Sequence, residues 1–281
     1  MTTAAYLRPQ HLPDALAALQ RDTWSILAGG TDFYPARLGK PMSEPVLDIS
    51  GIDDLGGIRR DAAFWRIGAL TTWTELVAAT ELPARFDGLK QAAREIGGVQ
   101  IQNVATICGN LCNASPAADG IPNLLALDAK VELQSLQGRR LMPIADFVTG
   151  NRRTRRAADE LVTGLLVPET DRETASGFLK LGARRYLVIS IAMIGAVIEW
   201  SRDQRIAALR VAIGACGPVA QRLPLVEQAL LGHARHKDPS TLIEATHLAA
   251  LTPIDDVRGS AAYRRDAALT LLRRLLNELC Q

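Results

Sequence analysis

Histidine and cysteine are scarce in this chain, four of each in 281 residues. The cysteines are Cys108, Cys112, Cys216 and Cys280. No Cys-x-x-Cys occurs, and the close pair Cys108 and Cys112 has no second pair or histidine beside it, so neither zinc nor an iron–sulfur cluster is expected. The four read as small, buried, reduced side chains. Aromatic residues make up only 5%, too few for a surface on which nucleic-acid bases stack. A surplus of one charge is also absent: 32 Lys and Arg stand against 30 Asp and Glu, a net +2. That leaves no electrostatic footprint for nucleic acid or for an anionic membrane. Long apolar runs are missing too. The longest, Leu187–Ile198, is broken by Ser190 and Gly195 and is too short to span a bilayer. The segment Met1–Gln10 is polar, contains Pro9 and lacks a basic stretch followed by an apolar one, so no signal peptide and a cytoplasmic location are expected. What remains is an average globular composition, 48% apolar and 22% charged, enough for one large or two ordinary domains.

Patterning along the chain gives a mixed α and β protein. Pro13 and the apolar face of Ala15, Leu16, Ala18 and Leu19 predict a helix. Strands are predicted at Trp24–Leu27, Val46–Ile49, Phe64–Leu70 and Leu161–Val167, the last ended by Pro168. A helix over Thr72–Thr80 is capped by Thr71 or Thr72, with Glu75 completing a capping box. Another, Gly88–Ile96, stops at Gly97-Gly98. Val131–Leu136 and Arg140–Met142 form a hairpin around Gln137-Gly138. The polar stretch Pro168–Thr174 marks a domain boundary. Beyond it, Ile191–Trp200 and Arg205–Ala215 read as paired strands, and Leu269, Leu272, Leu275, Leu276 and Leu279 mark the buried face of a final helix.

Two segments carry the candidate chemistry. Leu27-Ala28-Gly29-Gly30-Thr31-Asp32 is a strand end feeding a glycine turn. Paired glycines permit positive φ and close approach, and successive N–H groups in such a turn make a nest for a pyrophosphate. Neither a Walker loop nor a Gly-x-Gly-x-x-Gly pattern is present, and an ordinary turn remains a competing reading. The second segment, Thr106-Ile107-Cys108-Gly109-Asn110-Leu111-Cys112-Asn113-Ala114-Ser115-Pro116-Ala117-Ala118-Asp119, is dense in small, hydroxyl and amide residues. It reads as a long loop against which a polar cofactor lies, with Asp119 accepting hydrogen bonds from a ribose or a ring amide. An ordinary irregular loop is the alternative.

With these segments the chain resembles the FAD-binding medium subunit of the molybdenum hydroxylases, the family of xanthine dehydrogenase and aerobic carbon monoxide dehydrogenase. Further matches follow in order: Gly150-x-Arg152-x-Thr154 with Asp159-Glu160-Leu161, then Phe178-x-Lys180 with Arg184-Arg185, then Asp256-Val257-Arg258-Gly259-Ser260-Ala261-x-Tyr263-Arg264-Arg265. The resemblance thus covers nearly the whole chain. It implies an α+β fold: a two-lobed FAD-binding domain of the PCMH or vanillyl-alcohol-oxidase-like type over residues 1–170 (lobes 1–55 and 56–170), and a C-terminal antiparallel sheet with packed helices, like that of the carbon monoxide dehydrogenase flavoprotein, over 176–281. FAD is expected between the lobes and the C-terminal domain. The implied cofactor residues are Leu27, Ala28, Gly29, Gly30, Thr31 and Asp32 in the first loop. Thr106, Gly109, Asn110, Ser115 and Asp119 follow in the second, with Ile96 and Val162 as apolar walls and Lys180 as a cation near the flavin.

The same resemblance implies that no residue of this chain is catalytic or metal-binding. A molybdopterin centre on a large subunit and [2Fe-2S] clusters on a small subunit would feed electrons to this FAD, which passes them to NAD, a quinone, oxygen or another acceptor. His11, His233, His236 and His247 lie outside both segments, so noncovalent FAD is expected. A self-contained FAD oxidoreductase is the alternative function, and a non-enzymatic nucleotide-binding or assembly subunit is a second. Departures from the family pattern are Cys108 in place of a glycine, Val188 in place of an aspartate, and Arg156 in place of a leucine. Arg156 joins Arg152, Arg153 and Arg155 in a basic cluster, read as a solvated loop, a subunit contact or a dock for an acidic acceptor.

Overall fold

The structure is a computed structural model, and it describes residues 5–39, 42–61 and 63–281. The first four residues of the segment read as polar, Met1–Gln10, lie outside that description. The chain begins with strand β1 (Tyr6–Leu7), helix α1 (Leu12–Arg21), β2 (Ser25–Leu27) and β3 (Val46–Asp48). Helix α1 carries Pro13 in its first turn and buries the expected face. The strands pair in the order β1-β3-β2, all parallel. Leu27 ends β2, so the glycine turn begins where this small sheet stops.

The second lobe contains β4 (Ile58–Arg60), β5 (Phe64–Gly68), α2 (Trp73–Ala78), α3 (Asp87–Glu95), α4 (Val99–Gln102), α5 (Ile107–Asn113) and α6 (Gly120–Ala126). It continues with the hairpin β6 (Lys130–Ser135) and β7 (Gly138–Pro143), α7 (Ile144–Phe147), a small hairpin β8 (Val148–Gly150) and β9 (Arg153–Thr154), and β10 (Leu161–Pro168). Its sheet runs β4-β5-β10-β6-β7, antiparallel throughout. Strand β10 is central and buried on both faces, hence its nearly unbroken apolar run. Thr72 caps α2 in the expected capping box: its N–H donates to Glu75 Oε2 at 2.6 Å, and Glu75 N–H donates to Thr72 Oγ1 at 3.2 Å. Glu132 on β6 binds the sheet together, accepting from Arg66 at 2.8 Å and Thr163 at 2.7 Å and pairing with Arg139.

One local expectation is corrected. Thr106–Asp119 is not an extended loop. Thr106 accepts from the Gly109 N–H at 3.0 Å and caps α5, which ends at left-handed Ala114 (φ +49°). The helix forms despite Cys108, Gly109 and Asn110, because Ile107 and Leu111 fall on one face and are fully buried. Core packing overrides the weak propensity of those three residues.

The C-terminal unit has β11 (Thr174–Leu181), β12 (Ala192–Trp200), β13 (Ile206–Gly214), β14 (Gln221–Arg222), α8 (Pro224–Ala229) and α9 (Ala261–Cys280). The sheet is antiparallel in that order. One face is covered by α9 through Ala268, Leu272, Leu275 and Leu276. The other takes α3 and α6, where a Cβ on Gly88 would meet Gly177 O at 2.8 Å and one on Gly195 would meet Asn123 N at 2.9 Å. The late motif acts as a pin: buried Arg264 donates to Ile191 O at 2.6 Å and to Asp256 at 2.7 Å. No helix among the described residues is long and apolar enough to cross a membrane.

Candidate cofactor site

A cavity of about 530 Å³ lies between the two lobes, within the range of small-molecule sites. Ala28, Gly29, Gly30, Thr31 and Asp32 form one wall, and Thr106, Gly109 and Asn110 of the capped helix start form another. Ile96 and Val162 supply apolar sides. No residue beyond Val162 lines it among the described residues, so the C-terminal unit does not close this cavity as expected.

The walls carry polar groups with no protein partner among the described residues. The amide N–H groups of Gly29, Gly30, Thr31 and Asp32 donate to no protein backbone acceptor among the described residues. Such donors are normally paired, with a protein group, water or a ligand. Gly30 sits at φ +73°, a conformation glycine adopts without penalty. A Cβ on Gly29 would lie 1.9 Å from Val104 O, so only glycine lets the turn approach the second lobe this closely. Across the second wall, the side-chain oxygen of Asn110 and the indole N–H of Trp73 are buried with no partner. Both residues line the cavity. Clustered amide donors and an orphaned acceptor between apolar sides fit a long ligand with a diphosphate and a polar ring system. FAD has that chemistry.

Four expected residues lie outside this lining. Leu27 is buried beneath the turn. The Ser115 hydroxyl accepts from Ala117 N–H at 3.3 Å, bracing the chain after α5. Asp119 and Lys180 bind each other at 2.8 Å. Ser190 donates to the other Asp119 oxygen at 2.5 Å, and Lys180 also donates to Glu95 O at 3.0 Å. Burial pushes the Asp119 carboxyl up, against the opposing pull of Lys180. Glu95 is likewise raised by burial. The group joins β11 to the end of α3, directly beside Ile96. It also borders a second cavity of about 400 Å³, lined by Glu95, Lys180, Arg184, Arg185, Tyr186 and Val188. The Val188 departure therefore falls on the second cavity, not the first.

Sequence reasoning missed several lining residues. Trp73 gave only an apolar signal. Cys108 and Cys112 both line the cavity. The Cys108 thiol is pushed well up by burial, which keeps it protonated and suits a small packing residue. Arg152 and Arg156, read only as a basic cluster, reach the rim. The basic cluster, with the GxRxT pattern for Arg152, does not reveal where these side chains point.

Comparison with known proteins agrees with this geometry. The family described as "FAD binding domain in molybdopterin dehydrogenase" matches residues 2–170, and the "CO dehydrogenase flavoprotein C-terminal domain" matches residues 178–279. The nicotine 6-hydroxylase medium subunit of Paenarthrobacter nicotinovorans is 30% identical over 277 residues, 97% of this chain and 96% of that protein. The xanthine dehydrogenase FAD-binding subunit of Escherichia coli O157:H7 is 29% identical over 280 residues, 98% of this chain and 95% of that one. A solved carbon monoxide dehydrogenase from Hydrogenophaga pseudoflava superimposes with a TM-score of 0.89 at 28% identity, covering 99% of this chain and 97% of that chain. The chain belongs to the FAD-binding subunit family of the molybdopterin dehydrogenases, which are oxidoreductases.

Proposed function

We propose that this chain holds one noncovalent FAD and serves as the electron-relay subunit of a molybdenum hydroxylase. Its partners in this reading are a large molybdopterin-binding subunit and a small [2Fe-2S] subunit, and its product electrons go to an external acceptor such as NAD, a quinone or oxygen. The relatives' names, as medium or FAD-binding subunits, support it. Residues 1–170 (lobes 1–55 and 56–170) act as the cofactor-binding domain, and 176–281 as the supporting domain. The cytoplasm is the location in this reading, which four unpaired thiols suit.

The observation that carries the reading is the row of unused amides at Gly29–Asp32 in the same cavity wall system as the orphaned Asn110 oxygen. Those amides bind the diphosphate. Asn110 orients the polar rings, and Ile96 and Val162 exclude water from them. Lys180, by holding Glu95 O and Asp119, fixes the position of Ile96. No histidine lines the cavity among the described residues, in keeping with noncovalent binding. FAD supplies the redox chemistry when bound; the protein supplies binding, orientation and electrostatics.

The test is reduction of the bound flavin, followed by its absorbance. Substrate should bleach it only when the molybdopterin and [2Fe-2S] subunits are present. Bleaching in the lone chain would make it a self-contained oxidoreductase instead. Flavin that stays oxidised in the intact, substrate-turning complex would make it an assembly subunit.

A further inference from the structure

Arg152 stands at the tip of the β8–β9 hairpin in left-handed backbone (φ +56°), where glycine or asparagine is the usual residue. Its N–H donates to Ala114 O at 3.0 Å, anchoring the tip to the end of α5. From that anchor the guanidinium crosses the cavity rim. Nη1 donates to Asp32 Oδ2 at 2.8 Å and to Asn113 Oδ1 at 2.9 Å, and Nη2 donates to Asp32 Oδ1 at 3.3 Å. One side chain thus joins the glycine turn of the first lobe to the helix and hairpin of the second.

The other two arginines lining the cavity are engaged locally. Arg37 pairs with Glu44 and lies over the Phe33 ring. Arg156 donates to the carbonyls of Ala157, Ala158 and Glu160. Only Arg152, of the three, bridges the lobes. The Arg152 and Asp32 side chains are 55% and 47% exposed, and an ion pair that open to water contributes little to folding. Its geometry is that of a fastening across an opening.

We propose that Arg152 and Asp32 form a latch over the cavity mouth that sets how fast a bound dinucleotide leaves. A guanidinium has five N–H donors in a fixed fork. Asp32 and Asn113 occupy part of the fork, and the rest suits a phosphate oxygen. Closing the gap and adding a phosphate contact both slow release. The inference rests on the reading of this cavity as the FAD site.

Three forms test it: wild type, Arg152→Asn and Asp32→Asn, with the double variant as a fourth. Asparagine tolerates left-handed backbone, so Arg152→Asn removes the guanidinium without adding strain. The first readout is FAD release from the loaded protein, followed by recovery of free-flavin fluorescence. The second is the alkylation rate of Cys112 in the flavin-free protein, since Cys112 is exposed and lines the same cavity. The third is the thermal midpoint of the flavin-free protein. Each single variant should release FAD about tenfold faster, a factor equivalent to about 1.4 kcal/mol. The double variant should be no faster than Arg152→Asn, because that variant already takes the guanidinium away from both Asp32 and the phosphate. Cys112 should react faster in each, with the midpoint unchanged. Wild-type release and labelling in Arg152→Asn, or multiplying effects in the double variant, would overturn the latch. So would a midpoint lowered in step with release, which marks a general structural role. If wild type takes up no FAD, the cofactor reading fails, and Cys112 labelling alone decides the latch: faster in Arg152→Asn supports it, unchanged refutes it.

Discussion

At Gly29 a single missing carbon lets the two lobes meet. A Cβ there would lie 1.9 Å from Val104 O, a backbone atom of the opposite lobe that cannot swing aside. Gly29→Ala must therefore push the turn away from the second lobe and misalign the amide row. FAD affinity, measured by fluorescence titration, should fall at least about a hundredfold, a loss of about 2.7 kcal/mol. Affinity within a few-fold of wild type would mean that the amide row does not hold the cofactor. The glycine turn was legible in the sequence because its signal is local: adjacent small residues after a strand. Asp119 and Lys180 were legible only as residue types. Their partners lie 61 positions apart, and nothing in the spacing tells a carboxylate that meets a cofactor from one that meets a lysine. Ser115 and Leu27 illustrate the same limit, since matching a motif position does not say which way a side chain faces.

Among elements, the central sheet of the second lobe depends on Glu132. Burial alone would push its carboxyl up, but hydrogen bonds from Arg66 and Thr163 and the charges of Arg66 and Arg139 outweigh that and hold it below its ordinary value of 4.5. Glu160, hydrogen-bonded by Arg140, is lowered too. In both cases the unfolded chain binds the proton more readily than the folded one. Their stabilisation is present above pH 4.5 and is lost as pH falls through the folded-state value. Glu132→Gln should cost about 1–3 kcal/mol at neutral pH and make the acid limb below 4.5 shallower. Urea unfolding across a pH series reads both effects; an acid limb as steep as wild type would remove Glu132 from the account. Elements with strong periodicity or caps, α1, α2, β10 and α9, were readable in advance. Helix α5 was not. Its sequence favours a loop, and only the burial of Ile107 and Leu111 against the rest of the fold makes it helical.

For the whole molecule, the C-terminal sheet packs on α3 and α6, and β11 crosses the end of α3. There the Lys180 and Asp119 side chains are 4% and 8% exposed. Removing one member of a buried pair strands the other charge, so Lys180→Met should destabilise the chain by about 3–5 kcal/mol. Adding Asp119→Asn should restore part of that loss, as calorimetry can measure. A Lys180→Met protein as stable as wild type would show that this ion pair does not hold the junction. The order of motifs made this bipartite fold legible along nearly the full chain. What it did not reveal is that, among the described residues, the lining of the first cavity comes from the two lobes, while the C-terminal unit borders a second cavity at Lys180. The scarcity of histidine, cysteine and acid–base clusters then has a physical sense: the chemistry belongs to a bound flavin, and the chain builds its cradle. The most direct test of that claim is equilibrium binding of FAD to the purified, flavin-stripped chain, followed by acid precipitation. About one FAD should bind per chain and be released intact into the supernatant, as expected of a noncovalent site. A colourless protein that takes up no FAD on reconstitution, or a flavin that stays with the precipitate, would contradict it.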